Sequence, residues 1–438
     1  MRRSTIVTAV AVAALSAVPV LAVGGGTVTG PAVGNERSER LPYEGDAVRV
    51  YNVGELRDDV AANALAAARL AGGTGAITRS ASIGMARVRR GSSIVQQAAS
   101  GWAYPMGTTV LPVEAVGPLM GFDVSAALSA GTLVMGRRSA DLRGARAGDT
   151  IDLISSGGSA MTFSISAVVD DDRIGGTELL LSDEGADRLG IARLSSVLIW
   201  GFDSRAAIDA ALATHGLVTT SLRIRRTWGP ADPDSTMGMS RTKAALGEFQ
   251  YFIFSSGAVT TDDVWRSTYI SKAGPIGRLT LRSGCHVVVR AALQEAINEV
   301  VEAGLENTID YADANRYGGC YVPRFSRLAP NSSIGFLSRH TWGMAVDTNT
   351  QGSCQGCAPP DMDCRTVRIF RKHGFAWGGN YLVPDGMHFE WVGERRDQIL
   401  GYPSRFCPNV VGGALRAADP PQNQRSTMFA DDGLAAEG

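Results

Sequence analysis

Two short stretches late in the chain each set a histidine near a carboxylate, and their spacing restricts how the chain can fold. The first is Ser338-Arg-His-Thr-Trp-Gly-Met-Ala-Val-Asp347, and the second is Asp385-Gly-Met-His-Phe-Glu-Trp391. His340 and Asp347 stand seven residues apart. On one continuous strand an odd spacing sends two side chains to opposite faces. On a helix the same spacing is about two turns and ~10 Å of rise, too far for a shared ion. A loop followed by a strand brings them together, with Gly343 making the turn and Ala345–Asp347 delivering the carboxylate. His388 lies in the β-compatible run Met387–Trp391. Alternation there puts His388 and Glu390 on one face and packs Phe389 and Trp391 behind.

His340, Asp347 and His388 offer three nitrogen and oxygen ligands and leave a fourth position to water. That is the composition of a catalytic rather than a structural zinc site. Zinc lowers the pKa of its water to about 7, so a neighbouring carboxylate can take the proton. Asp385, beside Gly386 and ahead of the strand, is placed to bend back and do so; Glu390 is a rival base or a partner for a ligating histidine. Arg324, in Gly318-Gly-Cys-Tyr-Val-Pro-Arg324, can hold an oxyanion or pair with a substrate carboxylate. Ser338 reads as a donor toward the ligands or substrate, or as a turn residue. Trp377, in Trp377-Gly-Gly-Asn380, reads as a pocket wall where glycines admit a peptide backbone, or as a buried strand end. His215, His286 and His373 arrive without a matching carboxylate and read as packed or surface histidines.

The 438 residues carry a formal net charge of −1, which excludes a global field favouring nucleic acid or an anionic membrane. That length predicts two or three domains. Met1-Arg-Arg3 and the uncharged, mostly apolar run Thr5–Val23 predict a signal peptide or membrane anchor over 1–23. The remainder is then extracytoplasmic, secreted or attached to the cell envelope. All six cysteines (Cys285, Cys320, Cys354, Cys357, Cys364 and Cys407) fall in the last third, and an even count in an exported chain predicts disulfides. Their pairing stays open. Cys354-Gln-Gly-Cys357 is read as a disulfide-stapled loop in preference to half of a metal knuckle.

Residues 24–45 read as a linker. The segment 46–235 reads as a separate small β-rich α+β domain of unassigned role, a spacer or the docking site of an unidentified protein partner through 90–230. Its predicted elements are a helix over 55–71, a hairpin from 151–154 and 162–169, strands at 178–181 and 196–200, and a helix capped by Ser204. A Pro/Asp-rich break, Gly229–Asp234, closes it. A second unit spans 244–410, with Leu293, Ile297, Val300 and Val301 on one helix face and Asp363 capping another helix. Residues 411–438 read as a disordered tail.

Ser-x-His-x-x-Gly-x-Ala-x-Asp, then Trp-Gly-Gly, then Asp-x-x-His-Phe-Glu resembles the D-alanyl-D-alanine carboxypeptidase family of zinc peptidases. That group includes vancomycin-resistance-type D,D-carboxypeptidases and L-alanyl-D-glutamate endopeptidases. The resemblance covers 315–395 and extends over 245–410. It implies an α+β, hedgehog/D,D-peptidase-like domain built on a small antiparallel sheet. It also implies Zn2+ on His340, Asp347 and His388, Asp385 as general base, Arg324 as electrophilic helper, and the peptidoglycan stem peptide as substrate. Some members carry glutamate where this chain has Asp385, so their bond specificity does not transfer. The alternative reading is a non-catalytic zinc-containing module that grips the wall or a partner.

Overall fold

A computed structural model describes residues 43–310 and 319–409. The expected signal segment, most of the linker and the tail beyond 411 lie outside the described residues. Among the described residues no helix is long and apolar enough to cross a membrane.

Residues 47–226 build one large sheet around the 17-residue strand Thr74–Arg90. This strand pairs with Tyr104–Val110 on one side and Thr150–Ile154 on the other. The path between those partners runs through Leu179–Leu181, Thr132–Gly136 and Ala160–Val169, so six strands close into a ring. Closure satisfies the edges that an open sheet would expose. Ile83, Met85, Met106, Leu133, Ile151 and Phe163 share one buried apolar cluster in this region. The sheet continues outside the ring through Leu194–Trp200, Ala47–Tyr51 and Arg223–Arg226. The predicted hairpin is present, with Ile151 opposite Phe163. Ser204 caps Arg205–Thr214 by accepting Ala207 N–H at 3.1 Å. The Ala-rich segment forms the helix Asp58–Leu70.

The second half is mixed helix and strand with small antiparallel sheets. Val287–Glu302 buries Leu293, Ile297 and Val300, but Val301, expected inward, is 40% exposed. Asp363 caps Cys364–Lys372 by accepting Arg365 N–H at 2.8 Å, with Val367 and Phe370 buried. A three-stranded sheet has His388–Trp391 in the middle, flanked by Ala345–Asp347 and Phe375–Trp377. Phe389 packs behind it on Phe370, ring centroids 4.2 Å apart. Disulfides join Cys285 to Cys320, Cys354 to Cys357 and Cys364 to Cys407. The Cys354–Cys357 pair is thus a stapled loop.

The ring and the second half are joined by buried polar contacts. Ala103 and Tyr251 pair as a β-bridge, and Gly84 N–H donates to Ser333 O at 3.0 Å. The Pro/Asp-rich break is packed against the second half. Asp234 is buried and receives Arg371 Nε (2.8 Å), Trp377 N (3.0 Å) and Asn380 Nδ2 (2.7 Å).

His286 caps Val287–Glu302 by accepting Val288 N–H on Nδ1, while Nε2 stands 3.1 Å from Leu246 O. That pair of contacts suits the neutral ring with its proton on Nε2. Burial pushes its pKa down to about 4, below the ordinary value of about 6.5. Between these values the unfolded chain binds the extra proton. The stabilisation is complete above pH ~6.5 and is lost as pH falls toward 4, by about 3 kcal/mol. Urea unfolding across that range is expected to show this slope, and His286→Gln is expected to flatten it. An unchanged slope in the variant would assign the pH dependence to other groups.

Candidate metal centre

His340 is carried by the 3-10 turn Arg339–Trp342. Ser338 holds the turn, its Oγ accepting His340 N–H at 3.3 Å. Gly343 ends it at φ 64°, and a Cβ there would stand 2.8 Å from His286 N and from Ile270 Cδ1. Conformation and space both require glycine. The strand Ala345–Asp347 follows, in a register that sets Asp347 directly opposite His388 and Ala345 opposite Glu390. This is the loop-then-strand solution that the spacing demands.

Asp347 Oδ1 lies 3.3 Å from His340 Nε2 and 3.2 Å from His388 Nδ1. The three ligating atoms all lie within 4.8 Å of one another. A tetrahedron with ligand bonds of 2.0–2.1 Å has edges of roughly 3.3 Å, so two of the three separations already have that length. Neither ring nitrogen of His340 makes a hydrogen bond among the described residues, although the residue is buried. The enclosed space is only ≈ 10 Å³, about one probe sphere. Both facts suit a small ion better than a hydrogen-bonded side-chain cluster.

The field in the site favours a cation. Burial alone would raise the Asp347 carboxyl, but His340 and His388 outweigh it and hold it well below the usual carboxylate range. Burial would lower His388, yet its hydrogen bond to Asp347 and the nearby carboxylates of Glu390, Asp347 and Asp385 bring it up to about 10. Glu390 is fully buried, with Oε2 3.8 Å from His388 Nε2, the nitrogen that faces away from Asp347. Arg339, also buried, reaches Glu390 Oε1 at 3.4 Å and donates to Thr242 Oγ1 at 3.2 Å.

Asp385 lines the same cleft. Its N–H donates to Gly378 O at 2.9 Å, its carbonyl accepts His388 N–H at 3.1 Å, and its Oδ1 makes no hydrogen bond among the described residues. Burial, with Asp347 adding to it, raises the Asp385 pKa against the opposing pull of His388, Arg327 and His340. A carboxyl held above its ordinary value is suited to general acid–base work. Arg324 lines the cleft as well; burial lowers its pKa, while the charges of Asp347 and Asp385 oppose that.

Trp377 is fully buried and donates Nε1–H to Gly386 O at 2.8 Å. It packs behind the site and is not among the residues lining the cleft, so the buried strand-end alternative describes its position. Arg327 and Gln355 also line the cleft, and Arg327 donates to Gln355 Oε1 at 3.3 Å. Neither belongs to a recognisable motif. Gln355 reaches the site because the stapled loop pairs with Asp385 as a β-bridge. His373 bonds Glu299 at 2.7 Å.

Two histidines and a carboxylate thus stand close enough to share one ion, with an unpartnered carboxylate oxygen in the same cleft. Residues 331–391, which contain all four of these side chains, match the family model described as D-alanyl-D-alanine carboxypeptidase. The segment that holds the candidate site is therefore similar to peptidases of the D-alanyl-D-alanine carboxypeptidase type. No curated protein matches the chain.

Proposed function

We propose that the chain is a zinc-dependent peptidase that hydrolyses peptide bonds of the bacterial peptidoglycan stem outside the cytoplasm. The observation that carries this reading is Asp347 Oδ1 standing 3.3 Å from His340 Nε2 and 3.2 Å from His388 Nδ1 within the matched segment. Six cysteines joined in three disulfides support an extracytoplasmic setting. The ring of strands is proposed as a distinct structural domain ahead of the peptidase unit.

His340, Asp347 and His388 would hold the ion. A zinc ion bound there would supply Lewis acidity toward the scissile carbonyl and toward water. Asp385 takes the proton from the attacking water and delivers it to the leaving amine. Arg324 donates to the oxyanion that forms at the carbonyl. Glu390 sets its carboxylate 3.8 Å from His388 Nε2, a charge beside the far ring edge that favours Nδ1 toward the ion. A non-catalytic module would have no use for the raised, unpartnered carboxyl of Asp385.

The direct test is mass spectrometry of defined muropeptides incubated with the metal-loaded protein. Release of D-Ala from a stem ending in D-Ala-D-Ala, lost with a chelator and restored by zinc, is expected. Undiminished cleavage by zinc-stripped protein would refute the mechanism. Glu390→Gln is expected to weaken zinc binding about 10- to 100-fold in a chelator-competition titration, with the fold unchanged by circular dichroism. An unaltered affinity would leave Glu390 as packing only.

A further inference from the structure

The disulfide Cys354–Cys357 joins cysteines three residues apart, whereas Cys285–Cys320 and Cys364–Cys407 span 35 and 43 residues. Closing a long loop removes much of the entropy of the unfolded chain, and closing a very short one removes little. The two long-range bridges therefore staple the fold, and the short one is left with a local task. Burial divides them in the same way. Cys285, Cys320 and Cys407 are buried, so each long bridge has at least one cysteine in the core. Cys354 and Cys357 are both half-buried. Exposed disulfides are the ones that thiols open.

What the short bridge holds is the backbone of the proposed base. Gln355, between the two cysteines, pairs with Asp385 as a β-bridge, and Gly356 N–H donates to Pro384 O at 2.6 Å. Ser353, just before Cys354, accepts Met387 N–H on its carbonyl at 2.8 Å. The chain so supported carries Asp385 and ends at His388, a candidate ligand. The Gln355 side chain lines the metal cleft, and its Oε1 accepts Arg327 Nη1–H at 3.3 Å. Cys357 N–H donates to Cys354 O at 2.9 Å across the turn. The base of the loop is held independently, by Asp361 N–H to Gly352 O at 3.1 Å and Ser353 Oγ–H to Asp361 O at 2.9 Å. Opening the disulfide thus frees the tip and leaves the base of the loop tied.

We propose that the Cys354–Cys357 disulfide is a redox-sensitive positioning device for Asp385, closed in the active protein and loosened by a dithiol reductant. The role given to Asp385 rests on the peptidase reading above. A thiolate of the dithiol attacks one sulfur, the Sγ–Sγ bond breaks, and a mixed disulfide forms. The second sulfur of the dithiol then displaces it. Two electrons and two protons pass to Cys354 and Cys357, and the dithiol leaves as its own disulfide. Gln355 and Gly356 then release Asp385 and Pro384. Asp385 keeps its N–H bond to Gly378 O at 2.9 Å, so its carboxylate shifts without leaving the cleft. A misplacement of about 1 Å costs up to about 100-fold in rate.

The test is hydrogen exchange on the full-length protein with and without a water-soluble phosphine, followed by alkylation to identify the cysteines opened. The phosphine is oxidised to its oxide with oxygen from water and brings no thiolate to compete for zinc. Cys354 and Cys357 are expected to alkylate ahead of the other four cysteines. Exchange at Gly356 and Met387 is expected to rise about tenfold or more. Turnover of a muropeptide ending in D-Ala-D-Ala is expected to fall about tenfold in kcat, with KM and zinc affinity unchanged. Cys354→Ser/Cys357→Ser, confined to a half-buried loop, is expected to reproduce the reduced state and to ignore the phosphine. Parent-like exchange and kcat in that variant overturn the proposal, as does unchanged exchange once the pair is alkylated. Opening of either long bridge ahead of the short one overturns it too. The exchange readout needs no hydrolysis. A protein that loosens at Met387 yet cleaves no muropeptide in either state would sink the peptidase reading and leave the redox response of the loop standing.

Discussion

His340→Ala is expected to lose metal and turnover together, while Asp385→Ala is expected to keep the metal and lose about 10²- to 10⁴-fold in kcat. The contrast follows from position. His340 Nε2 is one of three candidate ligand atoms, with Asp347 Oδ1 and His388 Nδ1, and removing it would leave two for the proposed ion, which needs three from the protein. Asp385 belongs to the cleft wall and not to that group of three. Its removal leaves the candidate ligands in place and deletes the proposed proton acceptor. Glu390 cannot substitute, because it is fully buried and faces the far ring nitrogen of His388. Equilibrium dialysis against zinc and muropeptide hydrolysis, run on both variants, separate the two roles. Full turnover in Asp385→Ala would remove it as the base, and zinc retained by His340→Ala would show that the ion is held elsewhere.

The clustering of His340, Asp347 and His388 is legible in the sequence because each half of the candidate site is a short motif. The odd spacing of His340 and Asp347, the glycine between them and the alternation through His388 are short-range constraints, and the strand register realises them. Strands and caps were readable for the same reason: Ser204 and Asp363 cap the helices that follow them. What escaped depends on partners far along the chain. Thr74–Arg90 closes the ring by pairing with Thr150–Ile154, and nothing in either segment announces the other. Gly229–Asp234 reads only as a break because the partner of Asp234, Arg371, lies 137 residues away. Trp377 looked like a possible pocket wall because a tryptophan beside two glycines has the same sequence whether it faces solvent or core. Arg327 and Gln355 reach the cleft on loops whose paths are set by the disulfide-stapled segment and its bridge to Asp385. Residue type and spacing alone cannot supply such paths.

Lys243→Met is expected to destabilise the protein by about 3–5 kcal/mol, the cost of leaving buried charge without its partner. Lys243 is 1% exposed, and its Nζ lies 3.0 Å from both oxygens of Glu178 and 2.9 Å from Glu248 Oε1. Glu178 precedes the ring strand Leu179–Leu181 and also accepts Gly107 N–H at 2.8 Å and Ser139 Oγ–H at 3.0 Å. Arg143 completes the cluster by pairing with Glu248. Burial would raise the Glu248 carboxyl, but Lys243 and Arg143 hold it below its ordinary value. Two cations therefore balance two carboxylates, and methionine would leave both carboxylates sharing one guanidinium. The double variant Lys243→Met/Glu248→Gln restores the balance of charge and is expected to recover part of the loss, a coupling that urea unfolding measures directly. Additive losses would show that the cluster contributes no mutual stabilisation. The same helix, Met239–Leu246, presents Thr242 to Arg339, which reaches Glu390 behind His388. One short helix thus contacts the ring of strands through Lys243 and the support of the metal ligands through Thr242. Loosening Lys243 is accordingly expected to weaken zinc retention as well as stability, whereas a helix that served only as a tether would leave zinc affinity unchanged in the folded fraction.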